Sequence, residues 1–324
     1  MSAPATYDFA RASWWTRFWH EPLRAERLAL VRILFAIALL ADQLVQYVPN
    51  FADLFGPHGA GYAGLNDEYL LRKWRWTILV LGTDNLSVLW PIFWVWVGAT
   101  VLYLVGWQTR LMGVVVWFLT MCFLDRNPNV KNGGDDVLSA SLFLLMFMPT
   151  GRAFSIDAWR RRRKAIAAGL PPGDPSLIRP TVPAWGVRLL QIQLCVLYLT
   201  TGLAKLRGGP DHMLDGTWWR GTSIHYVIND LTMARISYAQ LPLPFWLTAI
   251  ITYTSVWFET LFTPLVIWRP TRKWALWFGV LFHIGIYLAI EVGWFSFYTV
   301  CLYGAWVPGE FWDRVFRRGR QGPA

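Results

Sequence analysis

The amino-acid sequence predicts an all-α membrane protein, a polytopic helical bundle of about eight transmembrane helices with both termini cytoplasmic. Three observations carry this expectation. Of 324 residues, 55% are hydrophobic and 15% charged, against about 45–50% and about 25% in soluble domains. The apolar residues gather into segments near the ~20 residues that a helix needs to cross a hydrocarbon core. Aromatics reach 17%, with 22 Trp, a density suited to membrane-interface belts.

The segments run Leu28 to Tyr47, Leu86 to Trp107, Leu111 to Leu124, Val137 to Pro149, Trp185 to Leu206, Phe245 to Trp268, Trp274 to Ile290 and Val292 to Val307. The third, fourth and eighth are short and lengthen only by taking in flanking polar residues. That suits helices ending inside a protein-lined cavity. A further stretch, Trp76 to Gly82, is too short to span and reads as an interfacial or re-entrant piece.

Alternating sidedness sorts the basic residues. The side holding the N-terminus, the long loop Thr150 to Pro183 and the C-terminal tail takes 19 Lys and Arg, the other takes 9, and Arg32 and Arg188 lie within spans. The positive-inside rule then sets both termini in the cytoplasm, with the chain in the inner (plasma) membrane. Residues 1–26 form a cytoplasmic interfacial segment, 27–308 the transmembrane domain and 309–324 a basic tail. Within the first, Ala12 to Leu23 reads as an amphipathic helix on the membrane surface, with Trp14, Trp15, Phe18 and Trp19 beside Arg17 and His20. No short apolar region followed by a small-residue cleavage site opens the chain, so the first span is an uncleaved anchor.

The net charge of +10 is therefore a topology signal, and nucleic acid is excluded as a partner because no base-reading or stacking element accompanies the basic residues. The run Arg160 to Lys164, followed by the breakers Pro171, Pro172, Gly173 and Pro175, reads as a topology signal and a contact for anionic lipid. Cys122, Cys195 and Cys301 all lie in apolar runs, which leaves no disulfide scaffold and no paired-cysteine zinc module. No metal site is expected.

Ionisable groups in spans are costly and single out candidate functional positions. Lys205 ends the fifth segment, and Tyr198, Thr201 and Lys205 share one helix face. Gly202 and Ala204 allow close approach of a neighbouring helix or a flat ligand. Lys205 is either a partly buried base or a lysine snorkelling to the headgroups. In the sixth segment Thr252, Ser255, Glu259 and Thr263 make a polar stripe that faces protein or water. His283 lies about half a bilayer past Lys273 and is either a proton-handling group or a hydrogen-bonded packing residue. Asp42 and Gln46 give the first segment a polar patch with Arg32 and Arg188 as candidate partners. The connection Asp125 to Asp136 concentrates acids, bases and asparagines on the outer side, the side to which Lys205 points; its Asn-Gly and Gly-Gly steps demand turns, and its paired aspartates suit a helix cap.

Three pieces of this sequence resemble the HTTM family, the horizontally transferred transmembrane domain shared with vitamin K-dependent gamma-carboxylase. They are Arg126-Asn127-Pro128 with Asn132-Gly133-Gly134-Asp135, then Gly202 to Leu206 with Trp218-Trp219-Arg220-Gly221, and Phe282 to Ile286 with Gly293-Trp294-Phe295-Ser296. The resemblance implies that Lys205 is the base that deprotonates a vitamin K or menaquinone-type quinol, with His283 lining the same outer-side chamber. It extends the cavity to Arg126, Asn127, Asn132, Asp135, Tyr198, Thr201, Trp218, Glu259 and Ser296. A carboxylase-like enzyme acting on a lipophilic small molecule or a secreted peptide is one expectation. The other is a non-enzymatic maturation, export or immunity factor for a secreted peptide. The chain departs from the carboxylase pattern in having Asn132-Gly133-Gly134 where the carboxylase has a histidine after two asparagines. It also ends 17 residues past Val307, where the carboxylase continues into a large outer region. A transporter is a third class, without visible inverted repeats.

Overall fold

Each of the eight apolar segments is helical in the computed structural model, which describes residues 8–9, 11–60, 83–126, 131–207, 216–235 and 242–318. The stretch Trp76 to Gly82 lies outside the described residues. Among the described residues, four helices are long and apolar enough to cross a membrane: Glu26–Tyr47, Leu86–Val105, Trp185–Arg207 and Phe245–Ile267. The short third and fourth segments take in polar residues at their ends, as expected, to run Thr109–Arg126 and Gly133–Phe147, whereas the eighth contracts to Phe295–Cys301 with a 3₁₀ turn to Trp306.

The surface segment folds as α1 (Trp14–His20), capped by the Ser13 hydroxyl and with no buried residue. Next comes β1 (Pro22–Arg24), which pairs antiparallel with β2 (Thr181–Pro183), Leu23 opposite Val182. This pair is the sole sheet among the described residues. In chain order the helices are α2 (Glu26–Asp42), continued by a π-turn to Tyr47, α3 (Phe51–Phe55), α4 (Leu86–Val105), α5 (Thr109–Arg126) and α6 (Gly133–Phe147). The basic run belongs to a helix, α7 (Ile156–Ala167), because Ser155 caps its N-terminus and Asp157 opens its first turn. After the breakers come α8 (Pro175–Ile178), α9 (Trp185–Arg207), α10 (Gly216–Trp219) and α11 (Ser223–Asn229). The chain ends with α12 (Phe245–Ile267), α13 (Arg269–Ala289), α14 (Phe295–Cys301) with a 3₁₀ turn to Trp306, and α15 (Gly309–Arg318).

The chain divides into two compact units. In one, comprising Met1–Lys131, Asp135–Leu190 and Gly304–Ala324, the core is aromatic: the rings of Trp96 and Phe123 stack at 4.9 Å and those of Phe51 and Trp90 at 4.0 Å. The Trp96 indole nitrogen donates to the Thr120 hydroxyl at 3.1 Å, so this buried Trp satisfies its one polar atom. Arg32 is fully buried and donates to the carbonyls of Thr150 and Phe154 at 3.0 and 2.5 Å. Arg188 reaches the Glu21 carboxylate at 2.9 Å. Both arginines thus brace connections between helices.

The other unit comprises Asn132–Gly134 and Gln191–Tyr303. Its helices α12 and α13 form a hairpin with a sharp corner at Trp268. Arg272 holds that corner by donating to the terminal carbonyls of Val266 and Ile267 at 2.8 and 3.0 Å, a C-terminal cap that also opposes the helix dipole. The polar stripe of α12 is buried as expected: Thr252 is fully enclosed, and Ser255 and Glu259 nearly so.

Candidate functional site

Helices α9 and α12 meet in antiparallel register at their polar and small residues. The Thr263 hydroxyl donates to the Cys195 carbonyl at 3.1 Å, the Phe262 ring stacks on Tyr198 at 4.0 Å, and Gly202 abuts Thr260. A Cβ at Gly202 would stand 2.6 Å from the Thr260 amide nitrogen, so glycine is what lets the backbones approach this closely. One turn on, that approach brings the Lys205 Nζ into an ion pair with a Glu259 carboxylate oxygen. The Lys205 ammonium also lies 4.9 Å above the Trp218 ring, a cation–π contact. The side chains of Lys205 and Glu259 are only 19% and 10% exposed. The carboxylate and the indole face thus hold the Lys205 ammonium within the unit.

A second polar group lies two turns earlier on the same face of α9. The Tyr198 hydroxyl is 2.7 Å from His283 Nε2 and 2.5 Å from the Tyr303 hydroxyl, giving a buried chain Tyr303–Tyr198–His283. Gly279, one turn before His283, provides the room: a Cβ there would collide with the Tyr303 hydroxyl. Among the described residues, His283 Nδ1 and the Ser296 hydroxyl have no hydrogen-bond partner although both residues are buried. Such groups are rare, because an unsatisfied buried polar atom costs about 1–3 kcal/mol. His283 thus has one ring nitrogen engaged by Tyr198 and the other without a partner among the described residues.

Asn132 to Gly134 of the first piece of the family-like pattern meet the third piece in this unit. Asn132 accepts from the Gly134 amide at 2.7 Å through its side-chain oxygen and caps α6. The two aspartates expected as caps lie instead in the first turn of that helix, where they complement its dipole. Gly134 abuts the backbone of Phe295: a Cβ would come 2.6 Å from that residue's nitrogen. Gly293, at φ +59, packs against the Asn132 amide, and the Phe295 ring lies 5.5 Å from that of His283. Position 134 therefore has no space for any side chain.

The remaining expected residues separate. Thr201 turns its hydroxyl back onto the Leu197 and Tyr198 carbonyls at 3.0 Å, so it is satisfied within its own helix. Arg126 belongs to the first unit, where it pairs with Asp84 at 2.6 Å and reaches the Phe55 carbonyl. Asp135 is buried in that unit, and Asn127 lies outside the described residues. Tyr303 was not among the residues singled out from the sequence. The available signal was Gly279, a small residue one turn from a midplane histidine, which marks close approach by another group.

An open apolar groove of about 500 Å³ runs along α12 and α13, lined by residues including Tyr253, Trp257, Phe258, Leu261 and Phe278. Phe258 also stands edge-on to Tyr198 at 5.6 Å, so one ring separates the groove from the tyrosine–histidine chain. No group of three or more His, Cys, Asp or Glu able to hold a metal occurs among the described residues.

The chain is 24% identical over 251 residues to the uncharacterized protein YitO of Bacillus subtilis (strain 168), an alignment covering 74% of this chain and 72% of that protein. No solved structure matches it. The family model for the HTTM domain matches residues 20–308. That span takes in all eight apolar segments and every described residue of the lysine–glutamate and tyrosine–histidine clusters, and the chain belongs to the HTTM domain family.

Proposed function

We propose that this HTTM protein crosses the inner membrane eight times with both termini cytoplasmic. In this reading Lys205, Glu259, Tyr198 and His283 form an outer-side proton-handling site for a lipophilic quinol-type ligand. The observation that carries the reading is the pairing of Lys205 with Glu259 beside a histidine whose Nδ1 has no partner among the described residues. The surroundings fit a quinol: aromatic side chains supply a dry wall, and the open His283 nitrogen and Ser296 hydroxyl suit an oxygen-bearing ring. A bound quinol would supply reducing power for modification of a peptide or small molecule. The chain's own part is proton transfer. Glu259 takes a proton from the Lys205 ammonium, and the resulting neutral Nζ accepts a hydroxyl proton from the ligand. Tyr198 holds the His283 ring by its Nε2, which leaves Nδ1 for a hydrogen bond with the ligand.

Lys205→Arg tests the assignment, because arginine retains charge, ion pair and indole contact but does not give up its proton. In lipid nanodiscs the wild-type protein is expected to bind a menaquinol analogue and consume it in air, with consumption followed by absorbance. The arginine variant is expected to bind with similar affinity and consume it at least a hundredfold more slowly, in line with loss of a general base. Equal rates in the two proteins refute the base assignment.

The tight packing at Gly134, which leaves no room for the carboxylase-type histidine, favours a second reading in which the same unit binds a secreted peptide without chemistry. Copurification of one defined peptide with the Lys205→Arg protein as well as the wild type, without quinol consumption by either, selects it.

A further inference from the structure

The first unit contains a cationic cavity unrelated to the lysine–glutamate site. Its volume is about 390 Å³, and Arg110 and Leu111 at the start of α5, Arg152, and Asp157 and Arg161 of α7 contribute to its walls. The cavity has a rigid frame. Arg32 ties the Thr150, Leu104 and Phe154 carbonyls together from beneath. Asp157 accepts from the amides of Gln108 and Thr109 at 3.0 and 2.8 Å and from the Thr109 hydroxyl at 2.9 Å, so the carboxylate in the wall is committed to capping α5. Arg161 donates to the Gly151 carbonyl. Among the described residues Arg110 and Arg152 have no ion pair.

Two further features mark the place. Burial, with the adjoining Arg152 guanidinium, holds the Arg161 guanidinium below its ordinary pKa, and an anion between the two would relieve that repulsion. Among the described residues the two non-glycine residues with left-handed backbone, Gln108 at φ +44 and Phe154 at φ +46, both belong to this frame. Backbone in that region costs about 1–3 kcal/mol and persists where the surroundings impose it, as at ligand clamps. The cavity is also amphiphilic at its rim. Leu111 and Val114, on one face of α5, are 52% and 47% exposed, and that apolar face continues away from the three arginines.

We propose that this cavity seats the headgroup of one anionic phospholipid, its phosphate held by Arg110, Arg152 and Arg161 and its acyl chains lying along Leu111 and Val114. The site is distinct from the basic run as a whole. Arg160 and Arg163 do not line it, and Arg163 lies over its own neighbour Trp159 at 5.0 Å.

Native mass spectrometry of the purified full chain tests the proposal, with phosphatidylglycerol and phosphatidylcholine as probes. One phosphatidylglycerol is expected to remain after detergent washing, while phosphatidylcholine is lost. Arg110→Gln with Arg152→Gln, both exposed positions, is expected to lower its retention about tenfold or more. Arg160→Gln with Arg163→Gln removes the same charge and is expected to leave retention unchanged. Equal losses in the two double variants overturn the site in favour of diffuse surface charge. Complete displacement by millimolar inorganic phosphate overturns the lipid assignment in favour of a soluble anion.

Discussion

Gly202→Ala is expected to separate α9 from α12 at the point that sets up the lysine–glutamate pair. The added methyl would meet the Thr260 nitrogen at 2.6 Å, its hydroxyl oxygen at 2.7 Å and its Cα at 2.9 Å. Ordinary contact begins at 3.4 Å, so the nearest atom must retreat by about 0.8 Å, and that atom is backbone within a helix. Overpacking of this kind costs about 1–3 kcal/mol. Helix propensity offsets part of it, since alanine is favoured over glycine by about 1 kcal/mol in a helix interior. A net loss of up to about 2 kcal/mol follows, with lengthening of the Lys205–Glu259 pair one turn away. Two controls share the chemistry without the clash: Gly98 of α4 and Gly285 of α13 would receive a Cβ with nothing within 4 Å. Those alanine variants should be neutral or slightly stabilised. Reversible unfolding in mixed micelles, followed by tryptophan fluorescence, measures all three. A Gly202→Ala midpoint indistinguishable from those of Gly98→Ala and Gly285→Ala would refute the close backbone crossing.

The ion pair predicts a non-additive cycle. Glu259→Gln and Lys205→Met should each destabilise by about 2–3 kcal/mol because each strands a mostly buried partner, and the double variant should recover more than half of the summed loss; additive losses in the same unfolding assay would show that the pair carries no coupling. A pH effect is expected at the turn before α8, where the Asp174 carboxylate accepts from the Ser176 amide and hydroxyl at 2.8 and 2.5 Å and is held below the usual carboxylate range by those bonds. Its contribution is present above the unfolded carboxylate value near pH ~4 and is lost as pH falls through the lower folded value. Amide exchange at Ser176 should accelerate on acidification beyond the intrinsic pH trend in the wild type, but follow that trend in Asp174→Ala.

Much of the helical architecture was legible because hydrophobic run length is a direct physical record of a span. All eight segments contain helix, and the lengthening of the third and fourth through polar residues followed from their composition, whereas the eighth keeps only Phe295–Cys301 as α-helix. Side-chain partnership was less legible. Lys205 at a helix end reads equally as a snorkelling amine and as a buried base, and only the approach of α12 at Gly202 brings Glu259 against it. His283 was visible as an ionisable group at mid-span, yet Tyr303 carries no charge and lies in an apolar run, so its hydroxyl gave no pattern before folding. Arg126 illustrates the opposite failure. Sequence proximity to Asn132 grouped the two, but Arg126 closes α5 in the first unit and meets Asp84, forty-two positions earlier.

The loop Asn132 to Gly134, where the resemblance to the carboxylase lacks its histidine, shows how packing limits which side chains a site can take. A glycine there could in principle leave an open space that another group fills. Instead Gly134 packs against the Phe295 backbone, Asn132 occupies the Gly293 turn, and the Phe295 ring stands beside His283. The loop is drawn down onto the α13–α14 connection, and the space that a loop imidazole would need is filled by main chain. Among the described residues of this unit the histidines lie within helices, where His283 is fixed by Tyr198 and Tyr198 by Tyr303. Restoring histidine at position 134 would have to displace the Phe295 backbone before it could add a functional group. The proposed proton handling would therefore fall to Lys205, Glu259 and His283 together with the two tyrosine hydroxyls.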